Sequence, residues 1–236
     1  MNRARSSIDD HISVQSLAKS TLDELLNFIR PGVTEQQIAL TAKDVMRRLG
    51  INDFWYHGVA ALVLVGKRTT MSVSGRDYEL TSTAVRSNDL VTIDLSPAVG
   101  KIWGDYARSI FVEDGIASLQ PNQTNVAWHR GFEMEVFLHD QLIEMATPNM
   151  TAHELWHRMN RSIEAHGFEN LDFQRNLGHS IEQNLDDRVY IERGNRKRLS
   201  EFGLFTFEPH ICEKGSDFGY KHEDIFFFSD GSLKAI

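Results

Sequence analysis

The chain holds a single cysteine, Cys212, so no disulfide can form within it and a disulfide-stapled scaffold is excluded. Only five prolines occur in 236 residues, and no stretch is rich in Pro, Gly or Ser, so nothing reads as a linker between domains. No apolar run approaches the roughly 20 residues that a membrane-spanning helix needs. The first residues, MNRARSSIDDHISVQS, are polar and lack the apolar centre of a signal peptide. Basic residues are in the minority: 25 Lys and Arg face 33 Asp and Glu, for a net charge of −8. That balance argues against a nucleic-acid partner, because binding phosphates takes clustered Lys and Arg. The one basic cluster, RGNRKR over 193–198, is short, contains Gly194 and Asn195, and reads as a solvated loop. The expectation is a cytoplasmic protein with neither nucleic acid nor membrane as partner.

What is present suits a folded chain. Residues are 41% hydrophobic and 25% charged, and the length is within reach of one large domain, 1–236. Residues 1–11 read as a flexible arm. Apolar spacing predicts a helix from Leu17 to Ile29, stopped by Pro31-Gly32. Thr34 and Gln37 stand at capping-box spacing and open a second helix that ends at Gly50. The period then changes. VAALVLV (59–65) reads as a buried strand, and 71–74, 90–96 and 102–112 as further strands. A long helix is predicted from Pro121 to Ala146, and Thr151 with Glu154 caps another from Ala152 to His166. LFTFEPHI (204–211) and KHEDIFFF (221–228) return to strand. This order predicts one α+β domain with a largely antiparallel sheet covered on one face by helices.

Two of the predicted hairpins carry carboxylates in apolar strands. In VTIDLSPAVGKIWGDYARS (91–109), a turn centred between Val99 and Gly100 sets Asp94 opposite Asp105, with Cβ atoms about 5 Å apart. A turn between Gly215 and Ser216 likewise sets Glu208 opposite Glu223, with Pro209 interrupting the ladder beside them. Like charges that close repel, so either one is protonated or a cation lies between them. Between the hairpins, His179 in NLGHSIE adds an imidazole. One imidazole among carboxylates suits Mn²⁺, Fe²⁺, Co²⁺ or Zn²⁺ better than Ca²⁺ or Mg²⁺. The competing account pairs the carboxylates with arginines, Arg108 being close enough to serve one hairpin.

The motifs TIDLSP, WGDYARS, GHSIE, FTFEPHI and KHEDIFFF, in this order, resemble those of the methionine aminopeptidase, aminopeptidase P, prolidase and creatinase family. The resemblance covers most of the chain, and its wording is closest to the aminopeptidase P side. It implies the pita-bread fold, a curved and largely antiparallel sheet with helices on its outer face, without the additional N-terminal domain of prolidase and aminopeptidase P. It also implies five metal ligands, which fall motif by motif on Asp94, Asp105, His179, Glu208 and Glu223. Two divalent ions are implied, with manganese favoured over cobalt, iron or zinc. Asp105 and Glu223 would bridge them, Asp94 would hold one, and His179 with Glu208 the other. Such a pair lowers the pKa of a shared water towards neutrality, and Glu208 would shuttle its proton to the leaving nitrogen. The implied activity is an aminopeptidase acting on short Xaa-Pro-like peptides. The alternatives are creatinase-like hydrolysis of a non-peptide C–N bond, or a metal-binding member without peptidase activity. The implied partner is a small peptide or small-molecule amide, and a homodimer is a further expectation.

The chain departs from the family at two positions. Peptidases of this kind carry two further histidines. One precedes the first aspartate, where this chain reads MSVSGRD with Ser74; the other follows the metal histidine by seven positions, where it has Asp186. Both losses weigh against ordinary peptidase activity. Candidate pocket residues are therefore Tyr56 and His57 ahead of the first core strand, Ser74, Asp186, and His210, which shares a strand face with Glu208. His222 alternates to the face opposite Glu223, and Trp103 and Tyr106 read as core aromatics. HELWH at 153–157 matches HExxH, but Glu154 already serves the capping box and no third ligand follows. Cys212 reads as packing in an apolar strand.

Overall fold

Apolar spacing along the first helix decides where it lies. Helix α1 (Asn2–Phe28) turns Val14, Ala18, Leu22 and Leu25 inward, and all four are buried. The structure, a computed structural model, describes residues 2–236, with side chains from Ile8 onward. The helix starts at Asn2, so residues 2–11 form its first turns where a flexible arm was expected; Met1 lies outside the described residues. Two facts account for this. No Gly or Pro interrupts residues 2–28, and His11 is buried with Nδ1 2.8 Å from the Trp103 carbonyl oxygen, which anchors this end to the sheet.

Helix α2 (Glu35–Arg48) opens on the expected capping box, with both reciprocal bonds between Thr34 and Gln37 formed. Helix α3 (Val126–Met145) starts later than Pro121 because Asn125 caps it, its side chain accepting from the Trp128 N–H. Helix α4 (Ala152–Ala165) carries the second capping box, Thr151 with Glu154. The HELWH glutamate is thus committed to a helix end, while His153 accepts from the Gly194 N–H at 3.1 Å. RGNRKR lies in an exposed loop.

The strands are β1 (Asp53–Phe54), β2 (Ala61–Val65), β3 (Asp89–Leu95), β4 (Pro97–Val99), β5 (Ile102–Trp103), β6 (Tyr106–Glu113), β7 (Ile116–Ser118), β8 (Phe168–Asn170), β9 (Leu204–Phe207), β10 (His210–Glu213), β11 (Gly219–Ser229) and β12 (Ser232–Ala235). Among the described residues, nine form one curled antiparallel sheet in the order β2-β3-β6-β11-β10-β8, with β9 and β12 also on β11 and β7 on β6; β1, β4 and β5 make a small second sheet. Residues 71–74 form no strand. Met71 and Ser72 are exposed, so the segment has no face to bury and runs along a cavity rim instead.

Register fixes which side chains meet. The β10–β11 pairs His210↔Lys221 and Cys212↔Gly219, and the β9–β11 pair Asp224↔Phe207, agree with the register read from the Gly215-Ser216 turn. Glu208 and Pro209 fall in the gap between β9 and β10, where proline withholds its donor. The other hairpin differs. Val99 pairs with Ile102 and Asp94 with Ala107, because Gly100 is the first turn residue, at φ +60°. Asp105 therefore stands just before β6, diagonal to Asp94 rather than opposite it. The shift changes the pairing by two residues and so keeps both carboxylates on one face.

The sheet has two faces of different character. Val63, Val65, Val91, Ile93 and Leu95 pack with α1 and α2 in one core; Phe205, Phe207, Tyr220 and Phe226 pack with α3 and α4 in another. The alternating residues Leu62, Leu64, Thr92, Asp94 and Lys221 line a cavity on the inner face. No helix among the described residues is long and apolar enough to cross a membrane.

Candidate metal centre

The inner cavity measures about 740 Å³ and is lined by Asp94, Asp105, His179, Glu208 and Lys221 among others. Each side chain has a distinct support. The Asp105 main chain is clamped by buried Gln15 of α1: its N–H donates to Gln15 Oε1 at 2.8 Å, and Gln15 Nε2 donates to its carbonyl at 2.6 Å. His179 follows Gly178, whose φ of +136° and approach to Thr206 leave no room for a side chain. The His179 N–H donates to Thr206 Oγ1 at 3.0 Å, and the Thr206 N–H donates back to the His179 carbonyl at 2.8 Å. The ring is set by Nδ1, 2.9 Å from the Ser180 carbonyl oxygen. Nε2 then faces the carboxylates, 3.5 Å from Asp105 Oδ2 and 3.8 Å from Glu208 Oε1.

The carboxylates are crowded and under-satisfied. One oxygen from each of Asp94, Asp105 and Glu223 lies within 4.8 Å of the others. Asp105 Oδ2 and both Glu223 oxygens are buried without a hydrogen-bond partner, in side chains of residues 3% and 1% exposed. Burial first, and neighbouring carboxylates second, push both groups well above the usual carboxylate pKa. Burial holds His179 down to about 4, so it is neutral and keeps a ring lone pair available. Three orphaned acceptors, a neutral imidazole and further carboxylates fit a divalent cation, which satisfies acceptors and excess charge together.

Among the described residues Lys221 is the one ammonium in direct contact with these acids. Its Nζ donates to Asp94 Oδ2 at 2.5 Å and lies 3.3 Å from Glu208 Oε2. Burial works against its charge, but Asp94, Glu208 and Glu223 outweigh burial and raise its pKa well above the usual value. At Glu208 burial is opposed by Lys221 and His179, which carry its pKa below the usual value. Arg108, the competing partner for the acids, instead grips Asp224 on the other face with both Asp224 oxygens within 2.9 Å.

Arg188 forms the cavity wall beside His179. Its guanidinium lies over Trp55, Tyr56 and Tyr190 at 5.3, 5.4 and 5.3 Å from the ring centroids. Trp55 and Tyr190 themselves meet the His179 ring edge-on at 5.4 and 5.9 Å. Arg188 Nε donates to the Leu185 carbonyl at 2.9 Å, and among the described residues no carboxylate pairs with it.

The structure brings Asp94, Asp105, His179, Glu208 and Glu223 together. Tyr56, His57, Ser74 and His210 line the cavity. His210 is tied by Nε2 to the Thr69 carbonyl at 2.7 Å, and burial lowers its pKa to about 4. Asp186 does not line the cavity. It sits exposed in the short turn Leu185–Asp187, which points it to solvent and delivers Arg188 inward instead. Sequence reasoning missed Lys221, Arg188, Trp55 and Gln15. Lys221 had a signal, since it stands two residues before Glu223 in a predicted strand and so shares its face. Arg188 and Gln15 had none, being placed by a loop and by a helix distant in sequence.

The profile of metallopeptidase family M24 matches residues 11–230. Similar solved structures include an X-Pro aminopeptidase from Thermotoga maritima MSB8 (TM-score 0.79, 19% identity, 98% of this chain and 60% of that one). A prolidase from Pyrococcus horikoshii OT3 gives TM-score 0.79 at 20% identity, covering 98% and 61%. The His350Ala form of Escherichia coli aminopeptidase P gives 0.75 at 15% identity, covering 94% and 53%. No curated protein matches in sequence. The chain spans about 60% of the length of the first two of these structures. The likeness establishes the pita-bread architecture, and the matched profile establishes the lineage: this chain belongs to metallopeptidase family M24, a family of metal-dependent enzymes.

Proposed function

We propose that the protein is a metal-dependent hydrolase that removes the N-terminal residue from short, Xaa-Pro-like peptides. The observation that carries this reading is the orphaned oxygen of Asp105, at a cavity that also presents Asp94, His179 and Glu208, together with those of Glu223 beside it. In this proposal Asp94, Asp105, His179, Glu208 and Glu223 would hold two divalent ions, manganese favoured, with Asp105 and Glu223 shared between them. The bound ions supply Lewis acidity and a water of lowered pKa. Glu208, held ionised by the Lys221 ammonium, accepts a proton on its carboxylate and returns it to the leaving nitrogen. Lys221 offsets part of the negative charge and keeps Asp94 in place. Glu208→Gln is expected to lower kcat by about 10²–10⁴-fold even when excess metal restores full occupancy, read by steady-state kinetics beside elemental analysis.

Arg188 supports a substrate with its own carboxylate. One aromatic ring separates it from His179. Arg188 lines the same cavity as Asp94, Asp105, His179 and Glu208, so it is available to the carboxylate of a short substrate held there. A charge-assisted bond of this kind contributes roughly 1.5–3 kcal/mol. Arg188→Leu is therefore expected to raise KM for free-acid dipeptides by about 10–100-fold, leaving C-terminally amidated dipeptides unaffected. Equal effects on both would remove Arg188 from substrate binding.

A second reading, a non-peptide amide substrate in the manner of creatinase, draws on Ser74 and Asp186 at the positions of the absent histidines. Metal analysis joined to a hydrolysis panel of Xaa-Pro, methionyl and non-peptide amide substrates, with Mn²⁺, Co²⁺ or Zn²⁺ added, tests both. Two ions with Xaa-Pro cleavage supports the first. Two ions with cleavage only of a non-peptide amide supports the second, and no bound metal on reconstitution sinks both.

A further inference from the structure

Strand β11 carries reactive groups on both faces. Lys221 and Glu223 belong to the inner side; His222 and Asp224 alternate with them and point towards α3. There they meet His139, which stands one turn beyond Glu135 on that helix. The His139 and His222 ring centroids are 4.0 Å apart, and His222 Nε2 lies 2.9 Å from Asp224 Oδ2. One ligand atom from each of His139, His222 and Asp224 falls within 4.8 Å of the other two.

Two groups here lack partners. His139 is 7% exposed, and its Nδ1 lies 3.0 Å from the Glu135 carbonyl oxygen. That contact places the ring proton on Nδ1 and the lone pair on Nε2, which is buried without a hydrogen-bond partner. The Glu135 side chain is also buried, with both oxygens unpartnered. It borders a small cavity of about 20 Å³ shared with Arg108 and His222, room for about one small occupant. Unmet acceptors of this kind cost roughly 1–3 kcal/mol each. The outer hydrogen bonds of His139 and Asp224 are of the kind found at metal sites. Metal-binding histidines donate their second nitrogen to a backbone carbonyl or carboxylate, and ligating carboxylates are themselves hydrogen-bonded, as Asp224 is by Arg108.

We propose that His139, His222 and Asp224, with Glu135 at the edge of the cluster, bind one divalent transition ion between α3 and the outer face of β11. Two imidazoles and a carboxylate select zinc, cobalt or nickel over calcium or magnesium. The ion pins α3 to the strand whose inner face carries Glu223 and Lys221. It is a site separate from the inner carboxylates and does not depend on the activity proposed for them.

Zinc is the probe. Crystals of the unmutated protein loaded with Zn²⁺ should give an anomalous peak at the zinc edge between His139 and His222, with Zn–N distances of about 2.0–2.1 Å. After desalting, wild type should retain one zinc per chain more than His139→Gln, while Asp105→Ala should still hold this ion. Absence of anomalous density between the two histidines at saturating zinc overturns the proposal, because water or a shared proton then fills the cluster. Equal zinc content in wild type and folded His139→Gln overturns it as well. The diffraction measurement needs no variant, so it decides the matter even if His139→Gln does not fold.

Discussion

Asp105→Asn should abolish turnover and metal uptake at the inner cavity while making the metal-free protein more stable. The two effects have one cause. Asp105 is buried with an unpartnered oxygen, among other carboxylates. Without a cation it is a cost to the fold; in the proposed site it would be a ligand. Relieving an unsatisfied buried group is worth about 1–3 kcal/mol, or roughly 2–10 °C in Tm for a chain of this size. Its pKa is raised in the folded state, chiefly by burial. A carboxyl group shifted this way contributes stability that is full below its unfolded pKa of about 4 and is lost as pH rises through the folded pKa. The Tm difference between Asp105→Asn and wild type, both metal-free, should therefore widen from pH 4 upwards. Adding Mn²⁺ should reverse the order, since binding at 100-fold over Kd stabilises wild type by about 2.7 kcal/mol and the variant by little. Activity should fall by at least about 10³-fold. Differential scanning calorimetry across pH with and without metal, beside kinetics, reads all of this. A metal-free variant less stable than wild type at pH 7 would falsify the picture of an electrostatically burdened site.

Gly178→Ala should be the most damaging single-atom-group addition near the site. A Cβ at Gly178 would stand 2.2 Å from the Thr206 carbonyl oxygen and 2.8 Å from its carbon, and the backbone there has φ +136°. Neither neighbour is a flexible side-chain end, so β9 or the His179 segment has to move. Overpacking and forced backbone conformation each cost about 1–3 kcal/mol, which predicts a Tm fall of roughly 5–15 °C. The bonds that join His179 to Thr206 would stretch with it. Misplacing a reacting group by about 1 Å can cost 10²-fold in rate, so activity should fall at least that far even where the variant is folded. Unchanged Tm and kcat would mean that the close approach of Gly178 to β9 has no part in positioning His179.

Much of this molecule can be read along the chain. Capping boxes at Thr34 and Thr151 need only four consecutive residues, and both form as expected. The hairpin at Gly215-Ser216 needs only its turn, and its register follows. Ordered motifs sufficed for the family, because the spacing of carboxylates along strands is a property of the chain alone. Other features depend on neighbours distant in sequence. The long α1 follows from His11 docking on Trp103, 92 residues away. The one-residue turn shift at Gly100 follows from local backbone conformation that alternation does not reveal.

The amino-acid order by itself determined the α+β class and the strand faces, since periodicity of two assigns faces without any contact, and the motifs that resemble the family named the four acids and the imidazole. Tertiary structure alone decided that Lys221 lies against Asp94 and Glu208, that Gln15 clamps Asp105, and that Arg188 rather than Asp186 enters the cavity. It also decided that His139 meets His222 across a helix–sheet contact. Each of these is a meeting of side chains from elements far apart in sequence, and their distances are set by packing, which no local pattern encodes.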